Sequence, residues 1–367
     1  MTARYFDFNA TTPLLPEVVD AMLPFLTTHF GNPSSGHEYG RVAKAAVETA
    51  RVQVAALVDA NASEIVFTSG GTEATALALR GALGDATAHV VTTKVEHPAT
   101  ARLVDALMRW GARVTRVGVD ANGVLRGDEV VAALARKPRW FSVIHAHNET
   151  GVLQPLATLA TLTQKHGVLL HVDASQSAGK VPLSLREDGF DLMTLAAHKL
   201  YGPKGVGALV VRDGVKLTPQ QLGAGHEHGL RAGTENVASL VGFGAACVAA
   251  KRDLADEATR QLALRERLIH GLLTRVPGLI IAGAAAERLP NTVYALFPME
   301  TGRAVLERCP GLAASTGSAC HDGHDVPPQV LLEMGFTPAV ALGAVRLTMG
   351  RTTTAEDVDA AIIELTT

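Results

Sequence analysis

Val168-Leu-Leu-His-Val-Asp173 is a short apolar run that ends in a carboxylate and passes into Ala174-Ser175-Gln176. The next such run, residues 191–196, passes into Ala197-His198-Lys199 and then into the turn Leu200-Tyr-Gly-Pro-Lys-Gly205. Outward from this pair the same pattern recurs at 65–68, 89–93, 113–117, 140–146 and 206–211, with helical-period segments between, seen best at 72–83 and 98–110. Runs of this kind alternating with helices predict an α/β domain with a mostly parallel, seven-stranded sheet. The connection 197–205 is shorter than the dozen or so residues a parallel crossover needs, so the seventh strand is expected to be antiparallel.

At 367 residues the chain suits one large domain plus a smaller one, with a cleft between them. A charged, helix-forming stretch from Lys251, leucines at helical spacing over 262–276, and strand-like runs near Leu279, at 291–297 and at 344–349 mark a second, α+β domain. The division is placed at 14–250 for the large domain and 251–367, with 1–13 packed against it, for the small one. A content of 47% hydrophobic and 19% charged residues supplies a large core and excludes a disordered chain. A net charge of −3 without a basic block gives no general attraction for nucleic acid or an acidic membrane. The cysteines, Cys247, Cys309 and Cys320, form no disulfide framework and no Cys-x-x-Cys pair, which fits a reducing compartment. Without a signal-peptide core or an apolar stretch of membrane-spanning length, the protein is expected to be cytoplasmic.

A carboxylate at a strand end sits where open α/β sheets bind ligands, although an isolated Asp there also serves as a cap. Lys199 at the next strand end changes the reading. A lysine for a Schiff base and an acid for a pyridinium nitrogen are the two side chains pyridoxal 5'-phosphate requires. The acid keeps the ring nitrogen protonated, so the ring accepts the electron pair left when the substrate Cα loses its proton; the lysine holds the cofactor and then carries that proton. Lys204, past Gly202-Pro203, is the competing lysine. Thr68-Ser-Gly-Gly-Thr-Glu73 joins a strand to a helix whose first backbone amides can hold a phosphate, or are capped by Thr72.

Taken together, the motifs resemble the cysteine desulfurases and selenocysteine lyases, a class V aminotransferase branch of the fold type I pyridoxal-phosphate enzymes. The resemblance covers nearly the whole chain. It runs through Asn9-Ala-Thr-Thr-Pro13, Phe30-Gly-Asn-Pro-Ser-Ser35, Phe67-Thr-Ser-Gly-Gly-Thr-Glu73, Glu96-His97, His147-Asn-Glu-Thr-Gly151, His171-Val-Asp-Ala-Ser-Gln176, His198-Lys-Leu-Tyr-Gly-Pro-Lys-Gly205 and Arg231-Ala-Gly-Thr-Glu-Asn236. It implies that Lys199 is the Schiff-base lysine, Asp173 the pyridinium partner, His97 the residue stacked on the ring and Gln176 a donor to the ring oxygen. Gly71, Thr72 and His198 are implied to hold the phosphate. Thr234 is implied to reach the phosphate of a neighbouring subunit, hence a homodimer with shared sites. Arg346, helped by Asn148, is implied to clamp the substrate carboxylate as a bidentate pair, with Arg351 as the nearby competitor.

Ser315-Thr-Gly-Ser-Ala-Cys320 resembles the loop that carries the family's sulfur-accepting cysteine. Cys247 and Cys309 read as buried small hydrophobes, whereas Cys320 lies between small residues and His321-Asp-Gly-His-Asp325, where neighbouring imidazolium stabilises a thiolate. Attack on the sulfur of L-cysteine, or the selenium of L-selenocysteine, would leave a persulfide or selenopersulfide on Cys320 for an acceptor protein and release alanine. No closed tetrahedral ligand set surrounds Cys320, so a metal site is not expected. Three features depart from the desulfurase pattern. Ala196 replaces the usual serine two residues before His198-Lys199, removing a phosphate hydrogen bond. The run after Cys320, with Leu289-Pro-Asn-Thr292, is more similar to the selenocysteine lyases. The sequence ends at Thr367 without the tail many desulfurases use to dock an iron-sulfur scaffold. A cysteine desulfurase is the first reading and a selenocysteine lyase the second. An aminotransferase that ignores Cys320 and a non-catalytic sulfur carrier are the alternatives of other classes.

Overall fold

The computed structural model of the chain describes residues 3–317 and 326–367. After β1 (Arg4–Tyr5), helices α1 (Pro16–Thr27) and α2 (Glu38–Leu57) lead to the sheet domain. Its elements are β2 (Ile65–Thr68), α3 (Gly71–Gly81), β3 (His89–Thr93), α4 (Pro98–Arg109), β4 (Arg113–Val117), α5 (Gly127–Leu134), β5 (Trp140–Ile144), α6 (Leu156–His166), β6 (Leu169–Asp173), β7 (Leu192–Ala196) and β8 (Gly207–Val211). Strands β2 to β8 form one sheet in the order β2-β8-β7-β6-β5-β3-β4. β8 is antiparallel to β2 and β7, as its short connection requires, and the remaining pairs are parallel. β2, β3, β5, β7 and β8 are buried along their whole length, which is why they read as unbroken apolar runs.

Two strand ends differ from the sequence reading, and both bear on the site. The apolar run 140–146 leaves the ladder after Ile144, because the His145 carbonyl accepts from the Gln154 amide (2.8 Å) and Ala146 bridges to Leu153. β6 extends to Asp173, which stays in register with Ile144 of β5 and Thr194 of β7. The acid is therefore fixed on both sides by neighbouring strands. From β3 the chain moves outward to β4, whereas β5 to β8 progress the other way, so the sheet has a switch point between β3 and β5. Open α/β sheets bind their ligands beside such a point, at the carboxyl ends of the strands.

The change of character at Ala250 falls inside one helix, α7 (Val237–Arg275), of 39 residues. Its first half places Leu240, Phe243, Ala246, Cys247 and Ala250 in the core under the sheet. Its second half places Leu264, Leu268 and Leu272 in a separate core with Phe6, Val293, Leu347 and Leu365. The compositional switch thus records a change of packing partner along a continuous helix, not a linker. Beyond it lie β9 (Ile280–Ile281), β10 (Thr292–Leu296), α8 (Gly302–Glu307), β11 (Leu312–Ala313), α9 (Gln329–Glu333), α10 (Pro338–Ala341), β12 (Ala344–Thr348) and α11 (Ala355–Thr366). β10 is the centre of an antiparallel β12-β10-β9 sheet, and β1 pairs in parallel with β11, which packs the N-terminus here. Thr354 and Asp357 form a capping box that starts α11. Among the described residues, no helix is long and apolar enough to cross a membrane.

Candidate active site

At the switch point lies a cavity of about 820 Å³, within the size range of small-molecule sites. The loop after β3 contributes Glu96 and His97, the loop after β5 contributes His147, Asn148 and Glu149, and β6 with its following turn contributes Asp173, Ser175 and Gln176. Ala196, His198 and Lys199 enter from β7, Gly71 and Thr72 from the start of α3, and Asn9 and Arg346 from the small-domain side. Every site residue named from the sequence converges here except Thr234, which is exposed elsewhere, and Cys320, which lies outside the described residues. Gly317 and Val326, which flank the segment 318–325, both line the cavity.

The two lysine candidates separate. Lys204 is exposed, whereas the Lys199 ammonium donates to the backbone carbonyls of Asn9 (2.6 Å) and Ala10 (2.8 Å) inside the cavity. Burial, reinforced by Arg346 and opposed by Asp173 and Asp7, lowers the Lys199 pKa to about 8. A substantial share of neutral, nucleophilic amine therefore exists near neutral pH. Beside it, burial and the charges of Lys199 and Lys204 push His198 down to about 4, and its Nδ1 meets the Thr11 hydroxyl at 3.2 Å. Asp173 is 4% exposed and accepts from the Ser175 amide (3.0 Å).

His97 caps α4 by accepting from the Ala99 amide at Nδ1 (3.1 Å), which leaves the ring proton on Nε2. Desolvation lowers its pKa, Asp173 opposes the shift and Lys199 adds to it. The neutral ring is thus the resting form. Gln176 is held at both ends: its amide nitrogen donates to the Asn9 carbonyl (2.8 Å) and its oxygen accepts from Lys180 (2.9 Å). The second hydrogen of that amide is left to point elsewhere. Arg346 donates to Asp7 (2.7 Å) and to the Asn148 carbonyl (3.2 Å), while its buried Nε has no hydrogen-bond partner among the described residues. A buried guanidinium edge without an acceptor marks a place for an anionic group. Arg351 is engaged elsewhere, paired with Asp253 with its guanidinium 5.5 Å from the Tyr201 ring centre.

Sequence reasoning missed several residues in or directly behind the cavity wall. Glu96 accepts from the Thr93 hydroxyl (2.7 Å) and the Ile144 amide (2.9 Å), and burial raises its pKa to about 8. Lys180 donates to Asn9 Oδ1 and Gln176 Oε1, both at 2.9 Å, and burial drives its pKa well below the usual amine range. Asn9 joins Lys180, Gln176 and Lys199 through its side-chain oxygen and backbone carbonyl, and its amide nitrogen donates to Asn148 and Thr292. Asn9 and Glu96 stood in motifs read for the family without a role of their own, and nothing in the spacing of Glu96 or Lys180 announces burial.

Sheet, switch-point cavity, buried amine and strand-end carboxylate together define a cofactor-dependent enzyme of the α/β class. The Aminotransferase class-V family description matches residues 4–361. The chain is 44% identical over 361 residues to the "Cysteine desulfurase IscS" of Anaeromyxobacter sp. (strain Fw109-5), covering 97% of this chain and 89% of that protein. It is also 44% identical to a "Cysteine desulfurase" of Gluconacetobacter diazotrophicus, over 98% of this chain and 91% of the other. Among solved structures, a "NIFS-LIKE PROTEIN" superposes with a TM-score of 0.92 at 33% identity, covering 99% and 98% of the two chains. "SspA in complex with cysteine" gives a TM-score of 0.84 at 30% identity, covering 94% and 98%. The chain belongs to the class V aminotransferases and, within them, to the cysteine desulfurases, which are pyridoxal-phosphate enzymes.

The cavity fits that cofactor. Gly70, at φ +149°, makes the turn from β2 into α3 that an L side chain would strain, and the first amides of the 11-residue α3 have no intrahelical acceptor. At Gly71 a Cβ would stand 3.1 Å from the Ser175 hydroxyl, so glycine keeps the phosphate end open. Ala196 lines the same end and offers no hydroxyl. Because only the neutral amine captures an aldehyde, uptake of pyridoxal phosphate by cofactor-free protein should speed up about tenfold per pH unit below about 8 and level off above it. Stopped-flow absorbance measures this; a rate independent of pH between 6 and 8 (about the range of interest for such an amine) contradicts it.

Proposed function

We propose that this protein removes sulfur from L-cysteine, releases L-alanine and carries the sulfur on Cys320 to an acceptor protein. The observation that carries the reading is the convergence of the Lys199 amine and the Asp173 carboxylate on one cavity bounded by Gly317 and Val326, the residues flanking the Cys320 segment. Bound there, pyridoxal phosphate supplies an electron sink for the pair left at the substrate Cα. Asp173 would hold its ring nitrogen protonated, His97 would pack against the ring, and the remaining N–H of Gln176 would serve the ring oxygen. Gly71, Thr72 and His198 would hold the phosphate.

The other residues act on the substrate. Arg346 and Asn148 fix the carboxylate, and Lys199, once its nitrogen is free, takes and returns a proton at Cα. The Cys320 thiolate attacks the substrate sulfur with its own electron pair; the Cβ–S bond breaks, its pair passes to the carbon fragment, and that carbon is protonated on the way to alanine. Lysine at 346 keeps a charge but loses the fork, so Arg346→Lys should lower kcat/KM for cysteine about 10²-fold, chiefly through KM. Steady-state kinetics test this, and an unchanged KM contradicts it.

Thr234, exposed on this chain, supports a homodimer in which it completes the phosphate site of the neighbouring subunit. The unpaired, buried Cys247 and Cys309 support a reducing, cytoplasmic location. The deciding assay follows alanine formation from L-cysteine and L-selenocysteine side by side, with mass spectrometry of Cys320. Alanine formation from L-cysteine with a persulfide on Cys320 is the expected result. Pyruvate-dependent amino transfer without alanine release from cysteine would point to an aminotransferase instead.

A further inference from the structure

Gly317, the last described residue before the Cys320 segment, has φ +89°, and a Cβ there would lie 2.9 Å from the Tyr294 hydroxyl and 3.0 and 3.1 Å from Glu149 Cγ and Cδ. The root of the segment thus rests directly on these two side chains. The Tyr294 hydroxyl is 3.1 Å from Glu149 Oε2 and 3.1 Å from the Thr316 carbonyl oxygen. A phenol has one hydrogen, and an ionised Glu149 would present it with two acceptors. Both contacts are satisfied when the carboxyl carries a proton: Glu149 donates to the phenol oxygen and the phenol donates to Thr316.

Burial raises the Glu149 pKa, against the lowering effects of Arg346 and of the Tyr294 hydrogen bond. Other groups near Glu149 are Arg346 of β12, itself paired with Asp7, Tyr294 of β10, and His147, whose Nδ1 accepts from the Glu149 amide (3.2 Å) and whose own pKa burial lowers to about 3. Backbone register links the parts: Tyr294 pairs with Arg346, and the Arg346 amide donates to the Ser315 carbonyl (2.6 Å). The group assigned to the substrate carboxylate and the root of the sulfur-accepting segment therefore sit on adjoining backbone.

We infer that Glu149, held as a neutral acid, and Tyr294 form a positioning pair that fixes Thr316 and Gly317 so that the Cys320 thiolate meets the substrate sulfur. The inference rests on the desulfurase reading. Ionising Glu149 turns the phenol hydrogen toward the carboxylate and releases Thr316, so the rate of sulfur transfer falls as pH rises through the Glu149 pKa. A glutamine at 149 keeps a permanent donor to the phenol and does not titrate.

The test measures single-turnover persulfide formation on Cys320 in the holoenzyme against pH, beside the KM for cysteine. Tyr294→Phe should slow the step about three- to tenfold, the effect of one hydrogen bond, without changing KM. Glu149→Gln should stay within about threefold of wild type and lose the alkaline decline, while Glu149→Ala falls with Tyr294→Phe. A Tyr294→Phe variant at the wild-type rate, or Glu149→Gln falling as far as Glu149→Ala, overturns the inference. Amide hydrogen exchange over residues 312–317 is read without substrate: faster exchange in Tyr294→Phe supports the pair, and identical exchange contradicts it. A wild type that yields no alanine from cysteine instead refutes the desulfurase reading and leaves the exchange comparison to decide the role of the pair.

Discussion

Lys199→Ala is expected to reduce alanine release from L-cysteine by at least about 10³-fold, at saturating pyridoxal phosphate and without loss of thermal stability. In the proposed reaction one side chain both captures the cofactor and moves the proton at Cα, so both functions would disappear together. The other described lysine of the cavity wall, Lys94, is exposed and paired with Glu333 at 3.2 Å, and two further lysines are also held away from the reaction. Lys180 is sealed onto Asn9 and Gln176, and Lys204 is exposed outside the site. Stability should hold because burial already disfavours the Lys199 charge, so its removal relieves a desolvation cost. Turnover and melting temperature of the variant check both halves; a variant within tenfold of wild type removes Lys199 from the reaction.

Cys320→Ser is expected to abolish persulfide formation from L-cysteine, a loss of at least about 10²-fold in alanine release, while leaving cofactor binding intact. Serine is not ionised near neutral pH and its oxygen cannot carry sulfur as a persulfide. Neither remaining cysteine can substitute. Cys247 is buried in the large core, where desolvation raises its pKa, and Cys309 is buried in the small-domain core with its sulfur 3.3 Å from the Glu364 carbonyl. With L-selenocysteine some selenium release should persist, because selenium leaves carbon more readily than sulfur. Equal residual activity on both substrates contradicts this account of the thiol.

Strand positions were legible because most of this sheet is buried on both faces, which forces unbroken apolar runs between turns; β2 and β3 fall on the expected residues. The end of β5 was not legible, since Ala146 continues the run while bridging to Leu153 outside the sheet. Nor was the continuity of α7, whose two halves differ in composition because they enter different cores. In the site, Asp173 and Lys199 stand out because each follows directly on an apolar run. Glu96, Glu149 and Lys180 do not, because their protonation states follow from burial by residues distant in sequence. Spacing also left Arg346 and Arg351 as competitors. The fold separates them by aiming one at the cavity and pairing the other with Asp253.

Borohydride reduction of the protein loaded with pyridoxal phosphate, followed by peptide mapping, tests the covalent anchor directly. The account predicts a single pyridoxyl-modified peptide, with the group on Lys199. Modification at Lys180 or Lys204 instead, or none at all, contradicts it.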